Sequence, residues 1–207
     1  MLKIKDDITL KILPVGVLGT NCYLAVRSKT GECIIVDPGA EPGTIRDFIE
    51  RKGYKPKLIA NTHAHIDHVG AVAELKRTYS VKFALNKNDE PLLQKAPESA
   101  AMFGLKNIEV PTVDFGLKEG DLLKAGEIEM KVIETPGHTD GCVCFFGHNV
   151  LLSGDTLFHS SIGRTDLPGG SYKKIIHSIS TKLLPLGDSV EVYPGHGEST
   201  TIGNEKR

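Results

Sequence analysis

The chain has 207 residues, of which 40% are hydrophobic and 25% charged, and its formal net charge is −1. This length and balance are typical of a single globular domain that builds its core without disulfide bonds, and they exclude an intrinsically disordered chain. The near-neutral charge gives no general electrostatic attraction for nucleic acid or anionic lipid, so we expect neither as a main partner.

The first half of the chain alternates β-rich runs with helical patterns. Turn-like residues separate the early runs, and Gly53 ends the first helical pattern. The second helical pattern carries apolar residues at helical spacing, and a looser helical region follows the fifth strand. The predicted strands are Ile8–Val17, Asn21–Val26, Glu32–Val36, Lys57–Ala60 and Val81–Leu85, and the predicted helices are Pro42–Lys52, His68–Tyr79 and Asn88–Gly104.

The second half repeats this alternation and ends in residues Gly203–Arg207, which we expect to be frayed. Strands and helices that alternate in both halves predict an α/β protein with layered sheets in one domain, residues 1–207. The predicted strands are Leu122–Leu123, Ile128–Glu134, Cys142–Phe146, Val150–Leu152 and Ser189–Tyr193, and the predicted helix is Tyr172–Leu184.

The sequence also indicates the compartment. No apolar run approaches the ~20 residues that a transmembrane helix needs. The N-terminus carries charges from Lys3 to Asp7 in place of the apolar stretch of a secretory signal. The cysteines fit no C-x-x-C pattern and lie in apolar, strand-like stretches, so we expect reduced, buried thiols and a cytoplasmic location. They are Cys22, Cys33, Cys142 and Cys144.

The most informative segment is Thr62–His68, which reads T-H-A-H-I-D-H. His63 and His65 follow an apolar strand, and alternate residues of an extended chain point the same way. Asp67 lies where the next helix begins, a position that favours a carboxylate, and His68 enters its first turn. One catalytic zinc takes about three protein ligands. Four ligand-type residues in six positions therefore indicate two metal ions.

Three later strands end alike: an apolar run stops, a glycine lets the backbone turn, and a ligand-type residue follows. These residues are His138, Asp155 and His196. With the first segment they make five histidines and two aspartates, a set suited to two ions about 3.5–4 Å apart, bridged by a carboxylate and by hydroxide. Asp37 also ends an apolar strand; it either serves the site or bonds nearby backbone amides, and the sequence leaves both open.

These motifs, in this order, resemble those of the metallo-β-lactamase fold superfamily of binuclear hydrolases, and the resemblance covers nearly the whole chain. It implies an αββα sandwich of two mixed β-sheets flanked by helices, with the site at one edge of the sheets. It also implies one metal on His63, His65 and His138, a second on Asp67, His68 and His196, and Asp155 as the bridge. In the lactamase pattern a cysteine stands in place of Asp155, which argues against antibiotic hydrolysis.

Within the superfamily, the segment Ser161–Gly170 is similar to the short glyoxalase II members. Full-length hydroxyacylglutathione hydrolases have a further C-terminal helical domain that binds glutathione, and we expect none after His196 here. Their loop offers a lysine and a tyrosine to the thiol carrier, where this chain has Arg164 and Asp166. Arg164 either binds a substrate carboxylate or pairs with Asp166. His159, four residues after Asp155, is a weaker candidate for lining the site.

The resemblance implies hydrolysis of a hydroxyacyl thioester, similar to S-D-lactoylglutathione, by attack of a metal-bound hydroxide. Asp67 would also orient the nucleophile. The cofactors would be two divalent metal ions, with zinc first and iron or manganese as alternatives. The competing functions are an iron-dependent persulfide dioxygenase, which would use only His63, His138 and Asp155, and another ester or lactone hydrolase. The sequence leaves the oligomeric state open.

Overall fold

Two β-sheets lie face to face in the computed structural model of the chain, which describes residues 2–3, 7–102 and 108–206. In these residues the first sheet has seven strands, paired in chain order. Its first four strands are antiparallel, and its last four are parallel. They are β1 (Leu2–Lys3), β2 (Ile8–Val15), β3 (Thr20–Arg27), β4 (Glu32–Val36), β5 (Lys55–Ala60), β6 (Lys82–Asn86) and β7 (Phe115–Leu117).

The second half of the chain supplies the other sheet. Its strands are β8 (Leu122–Ala125), β9 (Ile128–Glu134), β10 (Val143–Gly147), β11 (Val150–Gly154), β12 (Leu157–Phe158), β13 (Ser161–Ile162), β14 (Glu191–Pro194) and β15 (Thr200–Thr201). Six of these described strands pair in the order β15-β14-β11-β10-β9-β8, while β12 and β13 form a separate hairpin. Strand β14 runs parallel to β11. The two strands therefore end at the same edge of the sheet.

Helices cover the outer faces of both sheets. The first sheet carries α1, α3 and their neighbours, and the second carries α6 and α7. The described helices are α1 (Pro42–Lys52), α2 (Ile66–Val69), α3 (Val72–Tyr79), α4 (Glu90–Gln94), α5 (Ala96–Met102), α6 (Tyr172–Ser178) and α7 (Ile202–Glu205). A π-helical turn (Ile179–Leu183) and a 3-10 turn (Leu184–Leu186) extend α6.

Three apolar layers hold these elements together. Between the sheets, Tyr23 and Ile34 pack with Phe145 and other buried side chains. Outside the first sheet, residues such as Ile45 pack on strands β3 to β6, and outside the second, Ile175 packs on β9 to β14. Burying each such side chain stabilises the fold by roughly 1.5–3 kcal/mol. The layers confirm the expected αββα sandwich.

The structure corrects four details. The helix expected over 68–79 is two helices, α2 and α3, because the Ala71 amide between them donates its hydrogen bond to the Pro38 carbonyl oxygen and not to the preceding helical turn. The helical region expected over 88–104 is a 3-10 turn followed by α4 and α5, and residues 103–104 lie outside the described part. Strand β7 and the two-residue strands β1, β12, β13 and β15 were not predicted. The segment expected to fray carries most of α7, which Thr201 caps by accepting a hydrogen bond from the Asn204 amide.

No helix among the described residues is long and apolar enough to cross a membrane. All four cysteines are buried and free, as expected. Burial raises the pKa of Cys33 and of Cys144 to about 12. Because only a thiolate is a good nucleophile, these thiols are inert in the folded chain.

We therefore predict that none of the four cysteines reacts rapidly with a thiol-specific aromatic disulfide under native conditions. All four should react after denaturation, because unfolding exposes the sulfur atoms and restores their ordinary pKa. The measurement is the absorbance of the released thiol with and without denaturant. Rapid reaction of even one cysteine in the folded chain would contradict the burial described here.

Candidate metal centre

The structure brings all seven predicted ligand residues together at one edge of the two sheets. His63, His65, Asp67 and His68 follow β5 of the first sheet. The remaining three follow strands of the second sheet, which run in one direction and end side by side: His138 after β9, Asp155 after β11 and His196 after β14. Parallel strand ends thus place residues that are distant in sequence around one point.

The local conformation of the first segment is the one expected. After a bend at Thr62, the backbone of His65 lies in the extended region at the N-terminus of α2. Asp67 and His68 then lie in the first turn of that helix. This change from extended to helical backbone turns His63 and His65 toward one point and Asp67 and His68 toward a neighbouring one.

The donor atoms form three overlapping groups, each with all atoms within 4.8 Å of one another. They are His63–His65–His138, His63–His68–Asp155 and Asp67–His68–His196. His65 Nδ1 lies 2.9 Å from His138 Nε2, and His196 Nε2 lies 3.1 Å from Asp67 Oδ2. Two ligands that bind one zinc at 2.0–2.1 Å in tetrahedral geometry are about 3.3 Å apart. The observed separations therefore suit metal coordination.

Asp155 lies between the groups. Its Oδ2 is 3.6 Å from Nε2 of both His138 and His196, and its Oδ1 is 3.4 Å from His68 Nε2. Gly195 keeps this position open, because a Cβ atom there would come within 2.2 Å of Asp155 Oδ1. The carboxylate thus faces members of both outer groups, which is the placement of a bridging ligand.

Hydrogen bonds behind the cluster fix the imidazole orientations. Asp37 Oδ2 lies 3.1 Å from His68 Nδ1 and also accepts a hydrogen bond from the Thr62 hydroxyl. His138 Nδ1 lies 2.8 Å from the Arg164 carbonyl oxygen, and His196 Nδ1 lies 3.1 Å from that of Leu18. Each of these contacts leaves Nε2 of the histidine directed into the cluster. Such outer partners are typical of metal-binding histidines.

Asp37 therefore has both of the roles that its sequence position left open. Besides contacting His68, it accepts a hydrogen bond from the Thr62 backbone amide at 2.7 Å. Its backbone has φ = 51°, a left-handed conformation that ends β4 and turns the carboxylate toward the cluster. Residue 37 thus connects the end of β4 to the ligand segment.

Burial and neighbouring charges give the histidines of the cluster different protonation states. Burial and the neighbouring histidines lower the pKa of His63 well below its usual value and that of His65 to about 4, so both rings are neutral. Burial opposes a charge on His68, but Asp155 and Asp37 outweigh it and raise its pKa. His68, His138 and His196 overcome the effect of burial on Asp155 and lower its pKa. Neutral imidazoles and ionised carboxylates are metal ligands.

The surroundings of three metal-binding atoms show that these residues fit a metal. Among the described residues six buried side-chain atoms have no hydrogen-bond partner, and three of them are Nε2 of His63, Nε2 of His68 and Oδ1 of Asp155, of which the last two face each other at 3.4 Å. Polar atoms buried without partners are costly, and native proteins rarely contain them. All three belong to the ligand groups, and a bound cation would satisfy them.

The other predicted residues lie at the margin of the cluster. The Arg164 guanidinium makes two hydrogen bonds to Asp166, at 2.8 and 2.7 Å, and both side chains are exposed. The carbonyl group of Arg164, rather than its side chain, supports a ligand histidine. His159 is exposed and lies 4.0 Å from Glu198, so its described contact is outside the cluster.

Sequence reasoning missed two residues. Thr20 donates a hydrogen bond from its hydroxyl to Asp67 Oδ2 at 3.1 Å. Asp89 is a buried carboxylate that accepts hydrogen bonds from the segment after β5 and from the loop after β9, both of which carry ligand residues. Neither lies in a ligand motif, so no sequence pattern marks it. The position of Asp89 just after β6, at the same sheet edge as the ligands, was the one available signal.

Comparisons with known proteins agree with this geometry. The family model described as the Metallo-beta-lactamase superfamily matches residues 15–196. The chain is 40% identical over 202 residues to a protein of Haemophilus influenzae named hydroxyacylglutathione hydrolase GloC, covering 96% of this chain and 95% of that protein.

Solved structures share the fold over nearly the whole chain. The crystal structure of BLEG-1 B3 metallo-beta-lactamase is similar with a TM-score of 0.89 and 36% identity, covering 95% of this chain and 96% of that one. The structure of TTHA1623 in a di-iron-bound form has a TM-score of 0.86 and 36% identity, covering 95% and 97%.

We predict that metal uptake by the metal-free protein releases protons. The hydrogen bond that His196 donates to the Asp67 carboxylate raises the pKa of His196, and carboxylates raise that of His68, so both rings favour the protonated form toward lower pH. A metal binds only the neutral ring, so affinity should fall as pH falls through the raised pKa values, with weaker Zn²⁺ binding at about pH 6 than at about pH 8. Calorimetric titration in two buffers of different ionisation enthalpy measures the release. Binding that is independent of pH would contradict the prediction.

Proposed function

Because the chain belongs to the metallo-beta-lactamase superfamily, we propose that it is a binuclear metal-dependent thioester hydrolase of the glyoxalase II type. The observation that carries this proposal is the cluster of five histidines and two aspartates, with Asp155 between its two outer groups. The relative named hydroxyacylglutathione hydrolase GloC, similar over nearly the full length of both chains, supports the substrate class. The substrate would be a hydroxyacyl thioester.

We assign the ligands as the sequence suggested. The first ion would bind His63, His65 and His138, the second Asp67, His68 and His196, with Asp155 bridging the two. Histidine and carboxylate ligands accept zinc, iron or manganese. Zinc remains our first choice, and the di-iron form of the similar structure supports iron as the alternative.

The metals would supply the chemistry by lowering the pKa of water to about 7 and by polarising the thioester carbonyl. The chain would hold and orient the reacting groups. Asp67 Oδ2 accepts a hydrogen bond from Thr20, lies beside His196 Nε2, and has its pKa held well below the usual range. Because it stays ionised, Asp67 can accept a hydrogen bond from the attacking water and orient it, in addition to serving as a ligand.

Arg164 would bind the substrate by exchanging partners. Its guanidinium is paired with Asp166 at the mouth of the site. An exposed ion pair is weak, so a substrate carboxylate can take the place of Asp166 and keep the same two-point geometry. The Arg164 carbonyl also contacts His138 Nδ1. This loop would therefore place the bound substrate next to the first ligand group.

One of the competing functions would use fewer of these features. A persulfide dioxygenase would need a single iron on His63, His138 and Asp155, which leaves the grouping of Asp67, His68 and His196 without a purpose. An ester or lactone hydrolase would use the same centre and differs only in substrate. A β-lactam substrate is what the name of one similar structure suggests for that protein.

We extend the proposal to the binding partner of the protein and to its location in the cell. We propose a small-molecule thioester as the partner, with no nucleic acid or membrane, and a cytoplasmic location, where free thiols persist. A single domain over residues 1–207 remains a prediction.

The test is thiol release from S-D-lactoylglutathione by metal-loaded protein. We expect turnover that falls by about a hundredfold or more in His65→Ala and Asp155→Ala, since each removes a ligand. His177→Ala is the matched control, because His177 is an exposed histidine on α6 outside the cluster, and it should keep wild-type activity.

Metal-loaded protein that releases no thiol would contradict the thioester proposal. Oxygen consumption with a persulfide, or hydrolysis of a β-lactam or lactone in its place, would identify the competing function. Turnover that persists in Asp155→Ala would contradict the proposed centre.

A further inference from the structure

Asp89 is a buried carboxylate next to the cluster that none of the ligand groups includes. It lies in the 3-10 turn after β6 and is 1% exposed. Oδ2 accepts hydrogen bonds from the Ala64 amide and the Thr139 hydroxyl, both at 2.9 Å, and Oδ1 accepts one from the Gly141 amide at 2.7 Å. A carboxylate with three donors in the interior is a strong, directional anchor.

Two of the three contacts of Asp89 lie beside a ligand residue. Ala64 separates His63 from His65 in the segment after β5, and Thr139 follows His138 in the loop between β9 and β10. One carboxylate thus connects the first sheet to the second at the point where both supply ligands. The loop approaches it closely, because a Cβ atom on Gly141 would lie 2.6 Å from Asp89 Oδ1.

His65 depends most on this anchor. The rings of His63 and His138 have contacts to Nδ1 from Thr62 and from the Arg164 carbonyl. Nδ1 of His65 faces His138 at 2.9 Å within the ligand group, so this nitrogen has no anchor outside the cluster comparable to Thr62 or the Arg164 carbonyl. The backbone must therefore set the direction of the His65 ring, and Asp89 holds that backbone through the adjacent Ala64 amide.

The ligands proposed for the second ion have different anchors. Asp37 contacts the ring of His68, and the Leu18 carbonyl contacts that of His196. Neither anchor touches Asp89. A change at Asp89 should therefore act on one ligand group and leave the other in place.

We propose that Asp89 is a positioning residue that holds His63 and His65 at ligand distance from His138 and so determines the affinity for the first metal ion. This inference rests on the metal centre of the proposed function but not on the thioester substrate. It concerns the metal-free chain's own geometry, so metal titration tests it without any assay of turnover.

The experiment compares Zn²⁺ titrations of metal-free wild-type and Asp89→Asn protein. Asparagine keeps the size but replaces one acceptor oxygen with a donor, so it cannot accept all three hydrogen bonds. Loss of an outer partner typically weakens metal binding by about 10–100-fold. We expect a loss of at least about tenfold for one ion and less than about twofold for the other. Co²⁺ gives a second readout, because its absorption reports the geometry of the altered site.

Asp114→Asn is the matched control. Asp114 accepts a hydrogen bond from the Phe83 amide at 2.7 Å, pairs with Lys76 at 2.8 Å and contacts no ligand segment. It should bind both ions with wild-type affinity. Thr139→Val and Thr139→Ser form a milder pair: valine removes the hydroxyl that Asp89 accepts from and should weaken the same ion, whereas serine restores the hydroxyl and the affinity.

Thermal unfolding of the metal-free variants separates positioning from general stability. Wild-type affinity for both ions in folded Asp89→Asn would overturn the inference, as would an equal loss for both ions. If Asp89→Asn does not fold, equal affinities in Thr139→Val and Thr139→Ser would overturn it. A wild-type chain that binds no ion would overturn the proposed metal centre, and this inference with it.

Discussion

The burial of ligand atoms without hydrogen-bond partners is the constraint on which the site depends. Nε2 of His63 lies in the interior without a partner, and Nε2 of His68 and Oδ1 of Asp155 face each other there at 3.4 Å without a hydrogen bond. A buried polar atom without a partner costs several kcal/mol in hydrocarbon-like surroundings and about 1–3 kcal/mol in proteins. The fold tolerates this cost because two packed sheets and a set of outer hydrogen bonds hold the rings in place. A cation offsets the cost, so the same feature that destabilises the metal-free chain favours metal binding. Stability and function are thus coupled at one point.

The two sheets position the ligand residues around the site. Strands β9, β11 and β14 run in one direction and deliver one ligand residue each, whereas β5 delivers four through an extended segment that turns into α2. Asp37 and Asp89 then link neighbouring strand ends of the first sheet to these segments. Because the anchors are carboxylates that accept from backbone amides, they fix the backbone and not only the rings. Small variations in the loops can therefore change substrates while the metal ligands stay in place.

Much of the fold and of the cluster could be predicted from the sequence, for physical reasons. Apolar strands that end in glycine and a ligand-type residue gave the strand positions around His138, Asp155 and His196, and the density of ligands in 63–68 indicated two ions. The break between α2 and α3 could not be predicted, because the apolar spacing continues across it. The roles of Thr20 and Asp89 depend on contacts between distant segments, and the sequence signals only that Asp89 follows an apolar strand. The pairing of Arg164 with Asp166 was one of two open alternatives until the structure showed both side chains.

The central claim is that one carboxylate bridges two ions in this cluster. The most direct test is a crystal structure of metal-loaded protein with anomalous diffraction data to locate and identify the ions. We predict two ions about 3.5–4 Å apart, one near His63, His65 and His138 and the other near Asp67, His68 and His196, with Asp155 contacting both. A single ion at full occupancy, held by His63, His138 and Asp155 with the second group free of metal, would contradict it.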